Sequence, residues 1–165
     1  MLRWQLETTP ETVADFELAG EARYWDGCQL ITQGHMLGGI YLLGYSAEMI
    51  LKHASFRIDR GRPGDPAGGF FGPTRAWMRA RYPVVDCEAY HSLHFWTFYL
   101  RARRREIGSS LPDELDWELV RCVRRLYSMW SVDLRYRDWI VGAAEAQRVY
   151  DDVTWLRDRR IHLWS

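Results

Sequence analysis

Apolar positions recur every three or four residues along most of the chain, and the alternation that marks β-strands is nearly absent. The first start signal is Thr9-Pro10-Glu11, a capping hydroxyl, a proline suited to a first turn and an acid favoured by the helix dipole. A helix is expected from about Glu11 to about Gly34, with Val13, Phe16, Ala19 or Gly20, and Tyr24 on its buried side. A second is expected from His35 to Arg57, apolar nearly all round through Met36, Leu37, Ile40, Leu43, Ala47, Ile50, Leu51 and Ala54. A helix with so little polar face belongs at the centre of a bundle. Its small residues, Gly38, Gly39, Gly44, Ser46 and Ala47, allow neighbouring helices to approach closely.

A Gly/Pro-rich stretch at 59–73 reads as a loop, and a short helix is expected at Thr74–Ala80 before Pro83. A third main helix is expected over about Asp86–Arg105. A fourth, over Pro112–Trp130, follows the capping-box start Ser110-Leu111-Pro112-Asp113. A fifth is expected over about Arg137–His162, with Trp139, Ala143, Ala146, Tyr150, Val153 and Leu156 at helical spacing. The expected fold is therefore all-α, an antiparallel up-and-down bundle of four or five helices forming one domain over residues 1–165.

At 165 residues, 47% hydrophobic and 27% charged, the chain has the composition of a globular protein with a full core. Its apolar run Met36–Leu51 is too short to span a bilayer and contains Glu48, so no membrane partner is expected. Three cysteines without a CxxC, and no secretory leader at the start, point to a cytoplasmic protein. The 22 basic and 22 acidic residues cancel, yet they are sorted along the chain. Residues 75–105 hold seven basic and two acidic side chains, whereas 106–120 hold five acidic and none basic. Such sorting lets a neutral protein carry a basic face.

Within the second helix, Tyr41, Tyr45, Glu48 and Lys52 follow spacings of four, three and four, which aligns them as a polar seam. Glu48 and Lys52 are placed to pair. The seam is either a structural network or the lining of a ligand or partner groove. Helix three presents His91, His94 and Arg101, and the start of helix five presents Arg135 and Tyr136. The expectation is that Tyr45, Glu48, Lys52, His91, His94, Arg135 and Tyr136 converge on one site.

The segment Gly44-Tyr-Ser-Ala-Glu-(x)3-Lys52, preceded by a helix ending in Gly34, resembles the opening helix pair of HEPN domains, the higher-eukaryote and prokaryote nucleotide-binding group. That group is related in fold to the C-terminal helical domain of kanamycin nucleotidyltransferase. His91-Ser-Leu-His94 and Leu134-Arg-Tyr136 are more weakly similar to its later pieces. The resemblance implies a helical bundle, usually a homodimer, with nucleotide-linked or RNA-cleaving roles in toxin–antitoxin and defence systems. It also implies a possible protein partner encoded nearby. Catalytic members carry Arg-(x)4–6-His for metal-independent RNA cleavage, and Arg157-(x)4-His162 matches that pattern, with Asp158 after the arginine. In such a pair the arginine steadies phosphate charge and the histidine moves a proton. On an unbroken helix, however, a five-residue separation splays the two side chains apart, and His162 lies three residues from the end of the sequence. The expected function is accordingly a non-catalytic RNA-, nucleotide- or protein-binding module, with a metal-independent ribonuclease as the alternative.

Two further constellations stand out. Cys87, His91 and His94 share a helical face with Glu88 beside them, but a fourth metal ligand is missing, so no metal or cofactor is expected. Arg101, Arg103, Arg104 and Arg105 end a helix and are candidates for nucleic-acid phosphate contact, unless the acids that follow neutralise them. The tryptophans at helical positions, Trp77, Trp96, Trp117, Trp130, Trp139 and Trp155, are candidates for the core or a dimer interface.

Overall fold

A computed structural model describes residues 11–83, 85, 91–131, 133–134 and 141–165, and these form an all-helical bundle. The expected Thr9-Pro10 start, Asp86–Tyr90, the pair Arg135 and Tyr136, and the beginning of the fifth expected helix (137–140) lie outside the described residues.

The first helix, α1 (Val13–Thr32), starts one step later than expected because Thr12 supplies the cap. Asp15 N donates to Thr12 Oγ1 at 3.3 Å, and Thr12 N donates back to Asp15 Oδ2 at 2.7 Å. This reciprocal box satisfies two donors that a helix start leaves unpaired, and the Thr12 backbone bond holds the Asp15 carboxyl below its usual range. Gly34, at φ +84°, turns the chain, and His35 N returns to Leu30 O at 2.8 Å. The second helix, α2 (Met36–Ile58), then runs back against α1.

The chain departs most from expectation after α2. The loop is shorter than 59–73, because α3 (Gly68–Arg81) begins before the expected Thr74 and includes Pro73. Three glycines and a proline are poor helix formers, but burial overrides propensity here. Phe70 stacks on Phe56 at 5.1 Å between centroids, and Phe71 meets the same ring edge-on at 5.4 Å. Pro73 removes only the N–H that would reach Gly69 O, at an exposed position where water can take the carbonyl.

Helix α4 (Leu93–Glu106) is capped by Ser92, whose Oγ accepts from Phe95 N at 3.2 Å. Helix α5 (Asp113–Met129) opens at Pro112 without a side-chain cap, so Ser110 does not fill the capping role expected of it. Three acids in its first turn, Asp113, Glu114 and Asp116, complement the dipole instead. Helix α6 (Ala143–Asp158) ends short of His162, and a 3₁₀ turn, Arg160–Leu163, closes the chain. The described residues thus contain six α-helices, in the chain order expected from the sequence of five main helices and one short one.

Helix α2 is the axis of the bundle, packed against α1, α4, α6 and the 3₁₀ turn, while α5 closes the far side on α4 and α6. Its small residues take part in these approaches. Ser46 Oγ donates to Gly20 O at 2.8 Å, and Gly44 receives the Trp130 indole, whose Nε1 donates to Tyr41 O at 3.0 Å.

A Cβ at Gly44 would sit 2.1 Å from Trp130 Cδ1, whereas one at Gly69 would meet nothing within 4 Å. Gly44→Ala is therefore expected to lose about 1–3 kcal/mol in urea unfolding through overpacking. Gly69→Ala is expected to be neutral or mildly stabilising, because alanine has the higher helix propensity.

Candidate functional site

The polar seam of α2 lies at the centre of the bundle. Glu48 is 0% exposed and Lys52 4% exposed, and Lys52 Nζ donates to Glu48 Oε1 at 2.5 Å. Three aromatic rings surround the ammonium: Phe16 of α1 at 5.8 Å, Phe71 of α3 at 5.4 Å and Trp96 of α4 at 5.7 Å from its centroid. A desolvated cation gains from such ring faces, so the cage supplements the carboxylate in holding a charged lysine inside the core.

His91 reaches the same carboxylate. Its Nδ1 lies 3.0 Å from Glu48 Oε1 and 3.1 Å from Oε2. A carboxylate only accepts, so the proton sits on Nδ1, and Nε2 belongs to the outward half of a ring whose side chain is 51% exposed. Tyr45 packs edge-on to His91 (6.3 Å) and to Trp130 (5.5 Å), and Tyr41 OH donates to Tyr45 OH at 3.3 Å. Tyr45, Glu48, Lys52 and His91 are therefore brought together.

His94 is not part of this group. Its ring lies against Tyr127 of α5 instead, tilted by 53° with 4.1 Å between centroids. Arg135 and Tyr136, the remaining members of the expected set, lie outside the described residues, as do Cys87 and Glu88 of the metal constellation. Among the described residues, no group of three His, Cys, Asp or Glu is placed to hold a metal ion.

Beside the seam, α1 and α2 enclose a groove of about 470 Å³ with Phe16, Ala19, Leu42, Tyr45 and Met49 along it. Tyr41, Arg23, Glu11 and Asp15 complete the lining. The sequence reading included only Tyr45 of these in the binding set. The missed signal is that Leu42 and Met49 lie seven residues apart on α2, each one position after a seam residue and so about 100° around the helix from it.

The arginine run does not present a basic face. Arg104 is 5% exposed, its Nε donates to Ser109 O at 2.6 Å and its Nη1 to Leu163 O at 2.8 Å, which ties the chain end to α4. Burial pulls its guanidinium below the usual range. Arg101 grips Asp116 with two bonds, one of them 2.7 Å, and Arg103 donates to Asp59 Oδ1 at 2.8 Å and to Glu106. Arg105 keeps a longer 3.4 Å contact with Asp116 and a side chain 59% exposed. Acids neutralise Arg101, Arg103 and Arg105, while Arg104 is held by carbonyl oxygens.

Arg157, of the expected catalytic pair, is engaged elsewhere. Arg157 donates to Glu21 through Nε at 3.0 Å and Nη2 at 2.9 Å, and its guanidinium lies over Tyr24 (4.7 Å) and Trp25 (5.1 Å). The helix ends before His162, which is exposed on the 3₁₀ turn. Nearby, His53 is buried on α2, with Glu17 at 3.8 Å and the Trp164 ring edge-on at 6.1 Å. Compared with protein-family models, curated proteins and solved structures, the chain matches none.

Glu48→Gln keeps the shape but leaves Lys52 buried without its counter-charge, so it is expected to cost about 3–5 kcal/mol in chemical denaturation. Adding Lys52→Met is expected to recover most of that loss, because the uncompensated charge disappears. An additive double mutant would show that the two groups do not act as a pair.

Burial lowers the His53 pKa from 6.5, with Arg57 and Arg160 adding to the shift and Glu17 opposing it. The unfolded chain therefore binds the proton first. The stability His53 provides is complete above pH about 6.5 and drains away as pH falls toward the lower folded-state value. Melting curves between neutral and mildly acidic pH are expected to decline less steeply in His53→Gln. The difference between the two proteins isolates His53, because His94, whose pKa is also lowered, titrates in both.

Proposed function

We propose that the chain is a non-catalytic, HEPN-like binding module that takes a nucleotide in the groove between α1 and α2. The observation that carries this reading is the groove itself, in which the aromatic side chains Phe16, Tyr41 and Tyr45 meet an arginine, Arg23. Its volume of about 470 Å³ suits a small organic ligand. Ring faces and Met49 supply apolar contact for a base, and the tyrosine hydroxyls and Glu11 supply hydrogen-bonding partners. Among the described residues, Arg23 pairs with Asp26, at 3.1 Å, with side chains 51% and 55% exposed. Such a surface pair is worth about 0–1 kcal/mol, so the guanidinium is cheaply redirected to a phosphate.

Of the ligands implied by the resemblance, extended RNA has the weakest support. Its phosphate chain needs a row of available cations, and Arg101, Arg103 and Arg104 are already engaged. The ribonuclease alternative depends on Arg157, whose guanidinium is clamped to Glu21, and on His162 beyond the helix end. The homodimer and a partner encoded nearby remain part of this proposal through the resemblance. Leu18 and Trp25, 67% and 56% exposed on α1, give apolar surface to such an association. Light scattering at micromolar concentration is expected to return a dimer.

Calorimetric titration with AMP and ATP is expected to give saturable binding, weakened about tenfold by Arg23→Ala, the loss of one charge-assisted contact. The exposed position of Arg23 predicts an unchanged melting temperature for that variant. Absence of mononucleotide binding would overturn the reading. Cleavage of mixed RNA in EDTA, lost in His162→Ala, would overturn its non-catalytic part.

A further inference from the structure

On the opposite side of α4 from the Glu48 site, a second groove of about 360 Å³ lies between α4 and α5. Val85, Phe98, Val120 and Val123 line it with four polar side chains: His94, Thr97 and Arg101 of α4, and Arg124 of α5. Three features of this groove are unexplained by folding alone.

The first is Thr97. It is 5% exposed, and its Oγ1 has no hydrogen-bond partner among the described residues. A helical threonine ordinarily satisfies its hydroxyl on a carbonyl one turn back, and an orphaned buried hydroxyl costs stability. The second is Arg124. It is exposed, and no described residue accepts a hydrogen bond from it, whereas its neighbours Arg121 and Arg125 are engaged by Glu118 and Asp152. The third is His94, whose imidazole lines the same groove, tilted against Tyr127 and close enough to Arg124 to feel its charge. Two arginines, an imidazole and this threonine line one small cavity, and none of its described lining residues is acidic. Asp116, on the far side of Arg101, is already neutralised by that arginine and by Arg105.

We propose that the α4–α5 groove is an anion site, in which the Thr97 hydroxyl, the Arg124 guanidinium and the His94 imidazole take the phosphate of a phosphomonoester. Arg124 supplies a pair of charge-assisted donors, and Thr97 Oγ–H supplies the neutral donor that the fold leaves unused. Phe98 and Val120 offer apolar walls to the group esterified to the phosphate. The site is independent of the α1–α2 groove and of the nucleotide reading given above.

The electrostatics give it a pH signature. Burial, and then Arg124, hold the His94 pKa below 6.5 in the empty groove. Among the described residues, the charged groups that line the groove with the ring are Arg124 of α5 and Arg101 of its own helix, and Tyr127 lies against the ring at a tilt. A bound dianion reverses the sign of that field, so the His94 pKa rises on binding and affinity strengthens as pH falls.

The test is an NMR titration of the His94 ring proton, assigned by its loss in His94→Gln, with inorganic phosphate and with phenyl phosphate as probes. Saturable shifts and a raised His94 pKa are expected with both, and phenyl phosphate is expected to bind several-fold tighter through the apolar walls. Equal binding of the two probes would overturn the monoester assignment in favour of free phosphate. Arg124→Gln is expected to weaken binding about tenfold and to raise the His94 pKa in the free protein. Thr97→Val is expected to weaken binding about threefold without lowering the melting temperature, since it removes an orphaned hydroxyl from the core. Arg23→Ala is expected to bind phosphate normally, which separates this site from the nucleotide groove. A His94 signal unmoved by either probe, or undiminished binding in Arg124→Gln and Thr97→Val, would overturn the proposal.

Discussion

An ion pair inside the core sets the arrangement of this bundle. Desolvating a lysine and a glutamate is costly, and the cost is met only if both stay in contact and their remaining surface is well packed. Glu48 and Lys52 lie one turn apart on the same helix, so their contact needs no neighbour. What needs neighbours is the rest of the ammonium. Phe16, Phe71 and Trp96 supply it from three different helices, so the position of one charge correlates α1, α3 and α4 around α2. The carboxylate in turn draws His91 to the head of α4. A displacement of any of these helices exposes or strands a charge, which penalises alternative packings more sharply than apolar contacts alone.

Helical spacing made this pair legible, because residues four apart on a helix must meet whatever else surrounds them. The apolar character of α2 likewise identified the central helix. Inference failed where the deciding contact was remote in sequence. Gly68–Pro73 reads as a loop on propensity, and only Phe56, far back along the chain, explains why Phe70 and Phe71 become helical. The two histidines failed for a different reason. His91 and His94 are three residues apart and were assigned to one face, but Ser92 caps α4, so His91 precedes the helix and its direction is not governed by the 3.6-residue period. Thr97 and Arg124 carried no sequence signal, since an orphaned hydroxyl is visible only once its surroundings are known.

The uneven distribution of charge along the chain has a structural counterpart. Acids on α1 meet bases from the chain's end: Glu21 holds Arg157, and Glu17 lies 3.6 Å from Arg160. Arg125 of α5 pairs with the buried Asp152 of α6, and Arg101 of α4 with Asp116 of α5. The partners are 15 to 143 positions apart, so segments that look one-sided in sequence become complements in space. Individual surface pairs contribute little stability, but opposite charges in register discriminate against sliding one helix along another. This is also why a run of four arginines does not amount to a basic face here.

That pairing pattern gives meaning to the exceptions. Where the arginines on either side along α5, Arg121 and Arg125, have acidic partners, a guanidinium without one among the described residues is a position where counter-charge from outside the chain fits. Arg124 is such a position, and Thr97 beside it repeats the deficiency in a neutral group. The head of α4 therefore separates two imidazoles with opposite electrostatic surroundings. His91 rests on a carboxylate that accepts its Nδ1 proton, while burial and then Arg124 oppose protonation of His94. Only the second arrangement is incomplete within the protein, because an anion would satisfy Arg124, Thr97 and protonated His94 together. The first is complete as it stands, which is why Glu48 and His91 are best understood as the support that orients Tyr45 along the α1–α2 groove.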